Sequence, residues 1–186
     1  MDDNRSDNEI RTQRLENLES LREAGVAPYG RAFERTGDLA SVRENFEEGR
    51  PVRIAGRLVS RREMGKSIFA HVQDASGRLQ VYVKKNEIGE ESFKAFRTLD
   101  LGDILGVEGE LFVTRTGEQT VKVASWTLLA KSLQPLPEKF HGLQDVEQRY
   151  RRRYVDLVAN PEVAEVFRKR SRIVRALRNR LDEKGF

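Results

Sequence analysis

The feature that most constrains the fold of this chain is a change of hydrophobic period at Arg50. From there to Lys131, apolar residues recur at every second position in five runs rich in Val, Ile, Leu and Phe. The runs are Val52 to Ser60, Lys66 to Gln73, Arg78 to Lys85, Asp103 to Val113 and Glu118 to Ala130. Period two belongs to a half-buried β-strand, whose successive side chains fall on opposite faces. Tight connections are expected at Asp74 to Gly77 (DASG) and Thr114 to Gly117 (TRTG). The wider gap between the third and fourth runs, Glu87 to Leu101, reads as a short helix.

Three strands, a helix and two strands is the element order of the five-stranded OB-fold barrel, a frequent binder of oligonucleotides. The rival, an SH3-like barrel, has no natural place for that helix. The chain therefore reads as mainly β with flanking helices. An amphipathic helix precedes the barrel from Ile10 to Ala24, where Leu15, Leu18 and Leu21 recur every three residues and Gly25 supplies a stop. Ahead of it, Met1 to Glu9 is too poor in apolar residues to order itself. After the barrel, Asn160 and Pro161 mark the start of a long helix, with an apolar stripe of Val166, Phe167, Ile173, Val174, Leu177 and Leu181. Four segments result: an extension over 1–49, the barrel over 50–131, a hinge over 132–159 and a terminal helical segment over 160–186.

A length of 186 residues suits one ordinary domain with extensions. The 34 Lys and Arg against 30 Asp and Glu give a net charge of +4, which permits a phosphate-bearing partner without demanding one. Cysteine is absent, no apolar run reaches membrane-spanning length and the N-terminus lacks the apolar core of a secretory signal. A cytoplasmic protein without a membrane partner is expected. His141 is no metal candidate, because one other histidine exists and no cysteine accompanies it. No nucleophile–base pair, paired carboxylate site or Gly-rich phosphate loop offers a catalytic chemistry.

Alternation predicts what the barrel shows to solvent. In the second strand Ile68, Ala70 and Val72 share the inner face, so Phe69, His71 and Gln73 point outward. In the third, Leu79, Val81 and Val83 point inward, and Gln80, Tyr82 and Lys84 join Phe69 and His71 outside. A nucleobase stacked on Phe69 would gain about 1–3 kcal/mol, with the Gln80 amide free to read a base edge and a cation holding phosphate. An outward aromatic also serves to cap a small barrel or to pack under the N-terminal helix. Arg61 and Arg62, in SRREMGK at the end of the first strand, are open both to phosphate or base contact and to life as solvated loop charges. Strict alternation from Val52 turns Arg62 inward, so an RNA role requires the strand to end or bulge near Ser60.

The pattern RRxMGKxxFxxxQDxxGRxQxYV, from Arg61 to Val83, and LDLGDILGVEGELFVTRTGE, from Leu99 to Glu118, resemble the anticodon-binding barrel of class II lysyl-tRNA synthetases. The stretch from Pro135 to Leu157, PLPEKFHGLQDVEQRYRRRYVDL, resembles that family's interdomain hinge, a pattern that aspartyl and asparaginyl relatives do not share. The resemblance implies that Phe69 stacks on the central anticodon base, that Gln80 and Arg62 contact the same nucleotide, and that Glu118 lies near the third base. A carboxylate there would accept from base N–H groups and contribute selectivity rather than affinity; the sequence alone favours reading Glu118 as a turn-end surface charge. Arg61, His71, Tyr82 and Lys84 are further candidate RNA contacts.

In the hinge, Arg149, Arg151, Arg152 and Arg153 between Tyr150 and Tyr154 are expected to serve domain packing rather than RNA, with Asp145, Glu147 and Asp156 as partners and the tyrosines as buried spacers. The resemblance places the terminal helix in motif 1, the dimer-building element of class II synthetases, and the end of this chain ahead of the strand that follows it. It implies a tRNA with a lysine-type anticodon loop as partner and a homodimer for the complete enzyme. ATP and Mg²⁺ would serve the complete enzyme and not these residues. Two alternatives stay open: a self-standing OB-fold module for single-stranded nucleic acid, and a synthetase-like protein with a structural or regulatory role.

Overall fold

In the computed structural model, residues 7–30, 32–136 and 145–186 are described. The period-two region forms five strands, β1 (Pro51–Met64), β2 (Ser67–Gln73), β3 (Arg78–Lys84), β4 (Ile104–Val113) and β5 (Gln119–Ala130). They close into a barrel in the order β1-β2-β3-β5-β4. All pairings are antiparallel except β3 with β5, which run parallel. Closure removes the free sheet edges that would otherwise invite pairing with other chains.

The inner face follows the alternation. Val52, Ile54 and Leu58 of β1, Ile68, Ala70 and Val72 of β2, and Leu79, Val81 and Val83 of β3 are all buried, as are Val107, Leu111, Val121 and Leu128. At the β1–β2 turn Gly65 has φ +60°. The two-residue loop of Gly65 and Lys66, with positive φ at its first position alone, is the type II′ geometry that matches strand twist. The Asp74–Gly77 turn closes through the Gly77 carbonyl and is tied down by the Asp74 carboxylate, which accepts from the amides of Ser76, Gly77 and Leu39. Enclosure opposes ionisation of Asp74, but the Ser76 hydroxyl and these amides outweigh it and hold the carboxyl below its ordinary value.

The helix expected over Glu87 to Leu101 is two shorter ones, α3 (Lys85–Ile88) and α4 (Glu90–Arg97) in chain order. Gly89 lies between them at φ +82°, a conformation no helix can carry through. Phe93 and Phe96 of α4 enter the barrel core, and Phe96 meets Trp126 edge-on at 5.4 Å. Two helices precede the barrel. The first, Asp7–Glu23, is the expected one; a second, Leu39–Glu44, was not legible as a helix and is capped by the Asp38 side chain on the Ser41 amide.

The first helix docks through Leu18 and Leu21, whereas Leu15 stays on the surface. Its main anchor is Arg14, buried, which donates to the carbonyls of Ser132, Gln134 and Leu101. Beside it Lys131 Nζ, fully enclosed, lies 2.5 Å from Asp100 and 3.0 Å from Asp103. Burial pushes the Asp103 carboxyl up, against the opposing pull of the Ser132 and Asp100 amides and of Lys131.

The chain divides into two compact units, Met1–Pro135 and Leu136–Phe186. The described part of the second is helical: Val146–Arg151, Arg153–Ala159 and Pro161–Asp182, which are α5, α6 and α7 when the two N-terminal helices are α1 and α2. At their junction the carboxylate of Asp156 is enclosed and accepts from Arg149, Arg153 and Asn160. Enclosure alone would raise its pKa; the Asn160 amide and the two guanidinium groups outweigh that and hold it below the ordinary value. Asn160 is the N-cap of α7 and Pro161 sits in its first turn, both as expected, but Asn160 spends its side chain on Asp156 rather than on the helix amides. The tyrosines expected as buried spacers are exposed, Tyr150 at 73% and Tyr154 at 68%, while Arg151 and Arg153 pair with Glu147 and Asp156. His141 lies outside the described residues.

Candidate nucleic-acid interface

A β-bulge decides what the outer face of the barrel can present. In the β1–β2 pairing Leu58 faces Val72, but Ser60 faces His71, so Val59 is an extra residue and the alternation of β1 inverts beyond it. Arg62, inward by strict alternation, comes to lie opposite Phe69 on the outer face. The same inversion puts Arg61 opposite Ala70, where its guanidinium donates to the carbonyls of Arg97 and Leu99 at 2.7 and 2.5 Å. Arg61 therefore clamps the end of α4.

Cross-strand register assembles two adjacent rows on this face. Arg62, Phe69, Tyr82 and Lys122 are consecutive partners across β1, β2, β3 and β5. One position along, Ser60, His71, Gln80 and Thr120 form a parallel row that ends on Phe112 of β4. Rows two residues apart along a strand are separated by about 7 Å.

The first row is aromatic and cationic. The rings of Phe69 and Tyr82 pack at 4.7 Å between centroids with a 37° tilt, and Tyr82 meets Phe112 edge-on at 5.9 Å. Phe69 keeps part of its surface exposed, and its ring partner is Tyr82 rather than the N-terminal helix. Arg62 is exposed, and neither it nor Lys84, Lys66 or Arg115 has an ion pair or side-chain hydrogen bond among the described residues. Free guanidinium and ammonium groups beside π-faces suit a polyanion carrying bases.

The second row is a hydrogen-bonded chain. Ser60 Oγ meets His71 Nδ1 at 2.8 Å, and His71 Nε2 meets Glu118 Oε1 at 3.0 Å. Gln80 Nε2 donates to Glu118 Oε2 at 2.7 Å, and Thr120 Oγ1 donates to Gln80 Oε1 at 2.8 Å. Glu118 is placed by the turn before it, its amide donating to Thr114 Oγ1 at 3.0 Å. The Gln80 amide is consequently not the free reader expected from alternation. It is buried to 9% exposure and committed at both ends, because the parallel β3–β5 pairing brings Thr120 alongside it. Glu118, with 46% of its side chain exposed, is the most open group of this chain of bonds, ahead of His71 at 27%.

Of the sequence-predicted residues, Phe69, His71, Gln80, Tyr82, Lys84, Arg62 and Glu118 therefore lie on one face or its rim, and Arg61 does not. Ser60, Phe112 and Thr120 were missed. Phe112 carried a legible signal, since it alternates with the inward Leu111 immediately before the TRTG turn. Ser60 and Thr120 became visible only through pairing.

The closed five-stranded barrel carries an aromatic, cation-flanked face beside a polar row, and residues 52–129 match the family model described as an OB-fold nucleic acid binding domain. Over 181 residues, 96% of its length, the chain is 57% identical to a lysine–tRNA ligase of Pelotomaculum thermopropionicum, covering 36% of that protein. It is 54% identical over 181 residues to the lysine–tRNA ligase of Carboxydothermus hydrogenoformans, 96% of this chain and 37% of that one. Against that of Staphylococcus saprophyticus it is 48% identical over 189 residues, 96% of this chain and 38% of the relative. Nearly the whole of the chain is thus similar to part of lysine–tRNA ligases. It spans about a third of the length of the curated relatives it matches.

Proposed function

We propose that the outer face of the barrel binds the anticodon loop of a lysine tRNA, as the N-terminal part of an ATP-dependent lysine–tRNA ligase. The observation that carries this reading is the pairing of rows: a stacking row, Arg62–Phe69–Tyr82, beside a polar row whose His71 and Gln80 converge on the Glu118 carboxylate. In this reading Phe69 stacks on the central anticodon base and Arg62 holds the same nucleotide. Gln80 acts on that nucleotide through its remaining amide hydrogen, and Glu118 accepts from the third base. Lys84 and Tyr82 flank the strand.

The residues beyond the barrel form the hinge over 132–159 and, over 160–186, the beginning of a catalytic domain. Aminoacylation, with ATP and Mg²⁺, belongs to that domain's further residues, and the complete enzyme works as a cytoplasmic homodimer. Among the described residues no helix is long and apolar enough to cross a membrane.

The test is the affinity of this chain, at one fixed salt concentration, for a stem-loop with a UUU anticodon against the same stem-loop with its central U replaced by C. A preference for U that disappears in Phe69→Ala is the expected result. Equal, salt-sensitive binding to both loops would replace the reading with that of a general single-strand binder, and binding to neither would favour a structural or regulatory role.

A further inference from the structure

The second row contains a histidine with both ring nitrogens engaged, and the carboxylate beside it fixes where one of the ring hydrogens lies. A carboxylate only accepts, so His71 Nε2 must carry the hydrogen shared with Glu118 Oε1 at 3.0 Å. In the neutral ring Nδ1 is then an acceptor, and the Ser60 hydroxyl, 2.8 Å away, donates to it. Gln80 donates to the other oxygen, Glu118 Oε2, and is itself oriented by Thr120. The carboxylate is thus gripped by one donor on each oxygen, from two different strands, while nearly half of the Glu118 side chain remains open to solvent.

A carboxylate held at both oxygens presents its remaining lone pairs in a fixed direction; one held at a single oxygen rotates. The distinction matters for a base reader, because uracil offers an N3–H donor where cytosine offers an N3 acceptor. A fixed acceptor favours uracil and leaves cytosine facing a lone pair, whereas a rotating carboxylate escapes the clash. Strand register supplies the second grip: only the bulge at Val59 brings Ser60 opposite His71, and only that contact locks the ring.

We propose that His71, held by Ser60, is a positioning residue that fixes the Glu118 carboxylate as an acceptor and thereby sets the preference for uracil over cytosine at the base Glu118 meets. This rests on the anticodon-reading function proposed above. His71 itself touches no base.

The experiment compares this chain and its variants on stem-loops with anticodon UUU, UUC and UCU, with folding checked by circular dichroism. His71→Ala is expected to lower the U-over-C ratio at the third position about tenfold, the size of one lost hydrogen bond to a charged group, while the Phe69-dependent preference at the central position stays nearly unchanged. His71→Gln, whose amide can donate to Glu118, is expected to restore most of the ratio. Adding His71→Ala to Glu118→Gln is expected to cost nothing further, because both act through one carboxylate. Ser60→Ala, which leaves the donor but frees the ring, is expected to give a smaller fall and serves if His71→Ala does not fold.

The inference is overturned if the wild-type chain prefers U at the third position and His71→Ala keeps that preference. It is equally overturned if affinity falls alike for all three loops, or if His71→Gln behaves as the alanine variant does. A wild-type chain with no preference at either position would instead remove the anticodon reading on which the proposal stands.

Discussion

The barrel and the helical unit after it solve the problem of burial in opposite ways. Every buried apolar side chain among the described residues lies between Leu18 and Leu128, and all but Leu18 form one cluster inside and under the barrel. In the described part of the second unit the one buried residue is a carboxylate, Asp156, while Val166, Ile173, Leu177 and Leu181 along α7 are exposed. A closed sheet supplies both sides of its own core, so period-two sequence is enough to bury it. An amphipathic helix supplies one side, so its stripe is a half-interface, and α5–α7 are joined locally by charge. The lesson is that equal amounts of apolar sequence contribute very differently to stability according to whether the fold closes on itself.

The largest test of this contrast uses the enclosed charged site of the barrel unit. Lys131→Ala leaves Asp103 buried without its cation and is expected to destabilise the barrel by about 3–5 kcal/mol in urea unfolding. A loss under 1 kcal/mol would mean that this cluster is far wetter than its burial indicates.

Next comes a matched pair of isoleucines. Ile68→Ala, in the barrel core, is expected to cost about 2–5 kcal/mol. Ile173→Ala, 68% exposed on α7, should change stability by no more than about 0.5 kcal/mol. Similar costs at both sites would break the comparison and reveal a partner on the α7 stripe.

The outer face lies between these extremes, since its residues are half-buried but unneeded for the core. Phe69→Ala is expected to lower affinity for the UUU stem-loop by about 1–3 kcal/mol, with an unfolding midpoint close to that of the wild-type chain. A large fall in the midpoint would assign Phe69 to capping the barrel instead.

The smallest effect is a pH dependence confined to the second unit. The folded-state pKa of Asp156 lies below its ordinary value of 3.8, so the unfolded chain binds the proton more readily. Its contribution to stability is therefore complete above about pH 4 and is lost as pH falls through the folded value. Helix signals of residues 146–170, followed by NMR from pH 6 downward, should weaken in the acid range. Asp156→Asn should remove that dependence while leaving the barrel's acid response intact.

Much of this molecule was legible in advance because side-chain period, turn chemistry and helix signals are local. The five strands, the turns at Asp74–Gly77 and Thr114–Gly117, the inward triplets of β2 and β3 and the outward placement of Phe69 and Tyr82 all follow from neighbours within a few positions. Gly89, in contrast, broke a helix that apolar spacing alone would have continued.

What the sequence by itself determined is the closed, five-stranded character of the barrel and which residue types line its outer face, since alternation leaves each strand one apolar side to bury. Only the tertiary structure decided that Val59 is an extra residue, so that Arg62 turns out and Arg61 turns to α4. It alone decided that the parallel pairing of β3 with β5 commits Gln80 to Thr120 and Glu118, and that Arg14 and Lys131 are buried. These outcomes depend on which distant residue lies opposite. A one-residue shift in register exchanges the two faces of a strand, and nothing in the local sequence of β1 marks where that shift falls.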